Sequence, residues 1–215
     1  MTIVSLKSDN SRPDKAIKIE FSDSSSILIA AHYLPDGMES GIFEKAAGNF
    51  NGKEISSAEE EAFNFAAACY RAEKAAARLI ARAEQSSFGL ISKLERRGYD
   101  SKVAKAVVSF LSERDLLDDT RYAERWICSR LKGRKAPSPR LLFSLLAKKG
   151  INADSSRKAM KKALDSGTEY VLLSKFMENQ VFSGKKGGIS LRSHLKFEGF
   201  SPENIEKFIE SNGQE

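Results

Sequence analysis

The sequence predicts a mainly α-helical chain: a tandem array of three three-helix modules of helix-turn-helix or winged-helix type, behind a small N-terminal β-hairpin region. Three observations predict it. A leucine pair followed by a glycine recurs three times, as Leu90/Leu94 before Gly98, Leu142/Leu146 before Gly150 and Leu191/Leu195 before Gly199. The glycines stand 52 and then 49 residues apart, more than a helical hairpin fills. Apolar residues at helical spacing precede each pair: Phe63, Ala67, Tyr70 and Ile80; Tyr122, Trp126 and Ile127; Tyr170, Leu173 and Phe176. Each repeat is thus helix, helix, helix, an arrangement in which each unit leans on its neighbours.

In chain order, Ile17, Ile19 and Phe21 alternate with polar residues, a Ser-rich break follows, and Ile27-Leu28-Ile29 returns; this is a β-hairpin pattern over residues 16–34. Pro35-Asp36-Gly37 is a turn signal, and Phe43 to Phe50 reads as a short helix or as irregular chain. Ser57 with Glu60 forms a capping-box pattern ahead of an alanine-rich helix that breaks at Ser86-Ser87. Within each repeat, the leucines four apart share a helix face, and the glycine accepts the left-handed conformation that closes the helix. Tyr99, Ile151 and Phe200 then pack back. Asp100, Asn152 and Ser201-Pro202 restart the chain as caps of the third helices. Asp118 caps the opening helix of the second module, with Asp119 in its first turn. The domains expected are 1–57 as a β-containing extension, then modules at 58–115, 116–166 and 167–215. The extension's simplest role is to cap the first module's apolar face.

Among 215 residues the formal net charge is +6, and its distribution is informative. Residues 90–165 hold 19 Lys/Arg against 9 Asp/Glu, which is +10 there and −4 elsewhere. A basic middle favours an anionic partner. Arg121, Arg125 and Lys132 fall near one helix face at spacings of four and seven. Arg130, Arg134 and Lys135 carry the charge into the loop Lys132 to Pro139, whose prolines forbid a continuous helix and leave its side chains exposed. Arg140 begins the next helix and Lys148-Lys149 end it, while Arg96-Arg97 hold the same place before Gly98. Such a stripe suits a phosphate backbone and an acidic protein groove equally. Trp126 and Tyr99 are assigned to the core by their place in the repeat.

Catalytic chemistry finds no constellation. His32, in the hairpin region, and His194, in a third-module helix, lack an acid or nucleophile at motif spacing. Cys69 and Cys128 have no second pair and read as reduced thiols; no metal site and no cofactor is expected. Gly187-Gly188, within the loop at 183–188, follow two lysines without the rest of a P-loop. No run approaches the eighteen or so apolar residues that a membrane span needs. The expectation is a cytoplasmic, monomeric, non-enzymatic chain without a membrane partner.

Residues 116–151, LLDDTRYAERWICSRLKGRKAPSPRLLFSLLAKKGI, resemble the central signature of the RecX family, bacterial regulators of the recombinase RecA. The elements are the Leu-Asp-Asp entry, Tyr122-Ala123, Ser129-Arg130, the basic loop, Arg140-Leu141 and the Lys-Lys-Gly-Ile close. The resemblance runs from about 58 to 212. It departs at Ala136-Pro137-Ser138-Pro139, where the family usually has a glycine and this chain's loop is stiffer. The resemblance implies a modulator that binds RecA and lodges in the groove of its filament on single-stranded DNA. It would restrain ATP hydrolysis and strand exchange in homologous recombination, DNA repair and the SOS response. The RecA/DNA contact set implied is Arg96, Arg97, Arg121, Arg125, Arg130, Lys132, Arg134, Lys135, Arg140, Lys148 and Lys149. A stand-alone helix-turn-helix-like protein binding single- or double-stranded DNA is the rival reading.

Overall fold

The computed structural model describes residues 2–8, 16–36, 38, 53–133, 136–179 and 190–212. The expectations at Phe43 to Phe50, at the 183–188 loop and at Arg134 and Lys135 lie outside the described residues. The fold is mainly helical with a small N-terminal antiparallel sheet. The chain divides into two compact units, Met1–Ala83 with Leu90–Leu116, and Glu84–Gly89 with Leu117–Glu215.

In the first unit the expected hairpin is present as β2 (Ile17–Phe21) and β3 (Ser26–Ile29), paired antiparallel with Ile17 opposite Ile29 and Ile19 opposite Ile27. Alternation places Ile17, Ile19 and Phe21 on the buried face. Two strands were missed. β1 (Thr2–Ser8) pairs with β2, and β4 (Lys53–Glu54) with β1, giving the order β3-β2-β1-β4. β1 buries Ile3 but leaves Val4 44% exposed, so its ladder with β2 defines it more than its own pattern does. His32 lies in a 3-10 turn, Ala31–Tyr33, and not in a strand.

Helix α1 (Ser57–Arg82) starts one residue earlier than expected. The capping box is Ser56 with Glu59: Glu59 N–H donates to Ser56 Oγ at 3.3 Å, and Ser56 N–H to Glu59 Oε2 at 2.8 Å. Its buried face, from Phe63 through Ala67 and Tyr70 to Ala76, packs on β3 and on α3 (Ser101–Glu113). Between them runs α2 (Ser87–Glu95).

The second unit continues with α4 (Asp119–Leu131), α5 (Pro139–Lys148), α6 (Ala153–Ala163), α7 (Ser166–Asn179), α8 (Leu191–Phe197) and α9 (Pro202–Asn212). Ile127, Leu142, Leu146, Ala159, Leu173, Leu195 and Phe200 are among its core. The repeated glycines close α2, α5 and α8 in one manner. Their φ values are 86°, 76° and 89°. In each case the residue after glycine donates its N–H to the last leucine's carbonyl: Tyr99 to Leu94 at 3.3 Å, Ile151 to Leu146 at 3.1 Å, Phe200 to Leu195 at 3.2 Å. Asp100, Asn152 and Asp118 cap α3, α6 and α4 as expected. Ile151 and Phe200 pack back into the core, whereas Tyr99 is half-buried and donates its hydroxyl to the Arg71 carbonyl. The core assignment of Tyr99 is thus corrected.

The loop before α5 also departs from expectation. Lys132 and Gly133 are exposed, but Ser138 and Pro139 are buried, because Pro139 is the first helical residue and Ser138 the cap. Ser138 Oγ donates to Glu198 Oε2 at 2.5 Å, and Arg140 N–H to the Glu198 carbonyl at 2.9 Å.

Candidate binding surface

The candidate surface is built on α4 and α5 by the register of their buried faces. Ala123 and Ile127 turn inward from α4, and Leu142 and Leu146 from α5, so the intervening cations point outward. The segment 116–151 carries nine Lys/Arg and three Asp/Glu, namely Asp118, Asp119 and Glu124. All three acids are engaged. Asp118 Oδ1 accepts from Thr120 and Arg121 N–H, Asp119 Oδ1 accepts the Ser87 N–H at the start of α2, and Glu124 lies 3.8 Å from Lys162. Helix capping therefore explains Asp118, while Asp119 serves a neighbouring helix.

The expected basic residues do not form one set. Arg121 and Arg125 converge on Glu84, at 2.6 and 3.3 Å, with side chains 40% and 69% exposed. Their charge is partly neutralised within the unit. Glu84 itself is only 19% exposed and holds both guanidinium groups, so Glu84→Gln is expected to cost about 1–3 kcal/mol in urea unfolding. Arg96 and Arg97 are exposed but belong to the other unit. Among the described residues, no carboxylate forms a salt bridge with Arg130, Lys132, Arg140, Lys148 or Lys149.

Two aromatic residues join these cations. Trp126 is half-buried against the core and has Arg130 Cζ 5.0 Å and Lys149 Nζ 5.5 Å from its ring centre. It is a core residue on one edge and part of the cationic surface on the other. Phe197 is 62% exposed, with Arg140 Cζ 3.7 Å from its ring centre. Sequence reasoning missed Phe197 as a surface group, yet the signal was present: it occupies the place of Arg96 and Lys148 in the other repeats, an outward position. Cations over aromatic faces, beside lysines without a salt bridge among the described residues, suit carboxylates, phosphates and stacked planar groups.

Outside this surface, His32 does have an acid partner, which the sequence did not reveal because it is 41 residues away: Nε2 lies 3.2 Å from Glu73 Oε2. Burial would raise the Glu73 pKa, but the His32 contact outweighs it and holds it below the usual value. Because the folded value is lowered, this contribution to stability is present above the unfolded value near 4.5 and is lost as pH falls through the folded one. Acid unfolding of the first unit should therefore steepen below about pH 4.5, and Glu73→Gln should flatten that limb; unchanged profiles would refute the assignment. Nearby Cys69 is buried, and burial pushes its thiol up to about 12, the reverse of an activated nucleophile. Among the described residues no group of three His, Cys, Asp or Glu could hold a metal ion, and no helix is long and apolar enough to cross a membrane.

No family model matches the chain. A regulatory protein RecX of Treponema pallidum is 32% identical over 145 residues, 67% of this chain and 87% of that protein. Another from Mycobacterium bovis is 34% identical over 92 residues, covering 43% of this chain and 52% of its own length. Among solved structures, a crystal structure of regulatory protein RecX superposes with a TM-score of 0.63 at 16% identity, covering 98% of this chain and 99% of that one.

Proposed function

The chain belongs to the RecX family of regulatory proteins, and on that premise we propose that it regulates RecA by binding, without chemistry of its own. The partner is RecA, above all its filament on single-stranded DNA, and the consequence is slower ATP hydrolysis and strand exchange. The observation that carries the reading is the set of cations at Arg130, Lys132, Arg140, Lys148 and Lys149, which form no salt bridge among the described residues. An external anionic surface therefore lowers their energy. Arg134 and Lys135 extend the same set by sequence, and Arg96 and Arg97 add to it from the first module. Arg121 and Arg125 contribute less, because Glu84 already holds them.

In this proposal the chain is a cytoplasmic monomer built as an extension, 1–57, and modules at 58–115, 116–166 and 167–215. The test is RecA-catalysed ATP hydrolysis on single-stranded DNA with the protein titrated in. Inhibition at stoichiometric amounts is expected; no effect from folded protein would overturn the proposal.

Trp126 between two cations favours a second reading in which the protein touches DNA directly, since base stacking on aromatic rings is worth roughly 1–3 kcal/mol per base. That reading expects quenching of Trp126 by an oligonucleotide without RecA, weakening steeply with salt. Absence of quenching at low salt would confine the surface to protein contact.

A further inference from the structure

The first unit contains a groove that has no part in the basic surface. It runs between α1 and α3 and has a volume of about 650 Å³. Ala58 and Ala62 line it from one helix and Ala106 from the other, with Phe65 and Phe110 beside them. The alanines occur where larger side chains would fill the space, so the two helices leave room for a side chain from elsewhere. Phe65 is 36% exposed. The ring of Phe110 is half-buried and stacked on His32, with centroids 3.8 Å apart and planes within 5°. His32 is in turn held by Glu73, so that wall is fixed.

The charge of the groove is one-sided. Among the described residues its lining includes Glu61 and Glu113 and no lysine or arginine, and both carboxylates are exposed at the solvent edge. Glu113 also accepts a hydrogen bond from Ser109, at 3.0 Å, which fixes its position. The unit already shows what such aromatic groups attract: the guanidinium of Arg114 lies 4.3 Å from the Phe110 ring centre.

We propose that this groove is a docking site for a basic, apolar-anchored segment of a protein partner, with an apolar side chain between the alanines and flanking Lys or Arg on Glu61 and Glu113. The volume lies in the range of sites that take a small ligand or a few side chains. Apolar anchors read from a groove between helices, with charges at the rim setting specificity, are an established mode of peptide recognition. The occupant is opposite in charge to the partner of the α4 and α5 surface, so the chain would engage two chemically distinct surfaces. The inference does not depend on RecA being one of them.

The experiment uses the full chain and a fluorescein-labelled, C-terminally amidated peptide, Lys-Arg-Leu-Phe-Arg-Lys, with the same peptide carrying Glu at its four basic positions as comparison. Fluorescence anisotropy should show saturable binding of the basic peptide and at least tenfold weaker binding of the acidic one. Glu61→Lys/Glu113→Lys, two exposed changes whose folding is checked by circular dichroism, should weaken the basic peptide at least tenfold. Lys148→Glu/Lys149→Glu should bind it at least as well as the unaltered chain. Equal binding of the two peptides, or insensitivity to Glu61→Lys/Glu113→Lys, overturns the proposal. So does sedimentation showing a dimer that this variant dissolves, since the groove would then serve a second copy. ATP hydrolysis is not a readout here, so failure in this experiment and failure of the RecA reading remain distinguishable.

Discussion

Gly150→Ala is expected to lower the stability of the second unit by about 2–4 kcal/mol, well beyond the same change at Gly98. Two costs add. At φ 76° an L side chain is strained, by about 1 kcal/mol. A Cβ there would also stand 2.9 Å from Phe88 Cδ1 and closer still to its Cβ and Cγ, and such overpacking costs about 1–3 kcal/mol. Gly98 has a similar φ of 86°, but nothing within 4 Å of its added Cβ, so Gly98→Ala should show the backbone cost alone, about 1 kcal/mol. Gly199 falls between them, with Arg140 N at 3.3 Å and Pro139 Cβ at 3.4 Å. Urea unfolding followed by Trp126, the single tryptophan, reports the second unit, where Gly150 and Gly199 lie; circular dichroism serves for Gly98. Phe88→Ala should rescue Gly150→Ala only in part, because an alanine there keeps the Cβ that is crowded. Equal losses at all three glycines would show that backbone strain alone decides, and that Phe88 yields.

The contrast separates what the sequence discloses from what it does not. The three glycines were legible because helix closure is local: a leucine pair, a glycine and an apolar return lie within ten residues, and each hydrogen bond spans only a few. Asp100, Asn152 and Asp118 were legible for the same reason. What stood apart in sequence was not. Strand β1 depends on partners at Ile17–Phe21 and Lys53–Glu54, and Phe88 meets Gly150 across more than sixty residues. The loop before α5 reads in sequence as wholly exposed because of its prolines and lysines, whereas its anchor, Glu198, lies 60 residues beyond Ser138. The candidate surface divides likewise. Its positive charge is compositional and so is legible in the sequence. The neutralisation of Arg121 and Arg125 by Glu84, and the surface role of Trp126, come from packing.

That division changes the most informative functional substitution. Under the RecA proposal, Lys148→Glu/Lys149→Glu should raise the concentration needed for half-inhibition of RecA ATP hydrolysis by at least about tenfold, since it sets like charge against the partner at two adjoining points. Both lysines follow or end α5, where cations favour the helix dipole, so the pair also loses roughly 1 kcal/mol of stability, which Lys148→Gln/Lys149→Gln would largely share. The glutamine pair should inhibit at an intermediate concentration, and that gradation identifies charge as the cause. Glu198 holds the place of Lys149 in the third repeat and is its positional control. It is not a neutral one, because Glu198→Ala leaves the buried Ser138 hydroxyl without its carboxylate, at about 1–3 kcal/mol. The expected signature is therefore crossed: Glu198→Ala reduces unfolding stability while folded protein still inhibits, and Lys148→Glu/Lys149→Glu stays folded while inhibition weakens. If both substitutions weakened inhibition equally at equal folded fraction, the binding face would have to include the third module, and the exposed Phe197 with Arg140 would be the next pair to change.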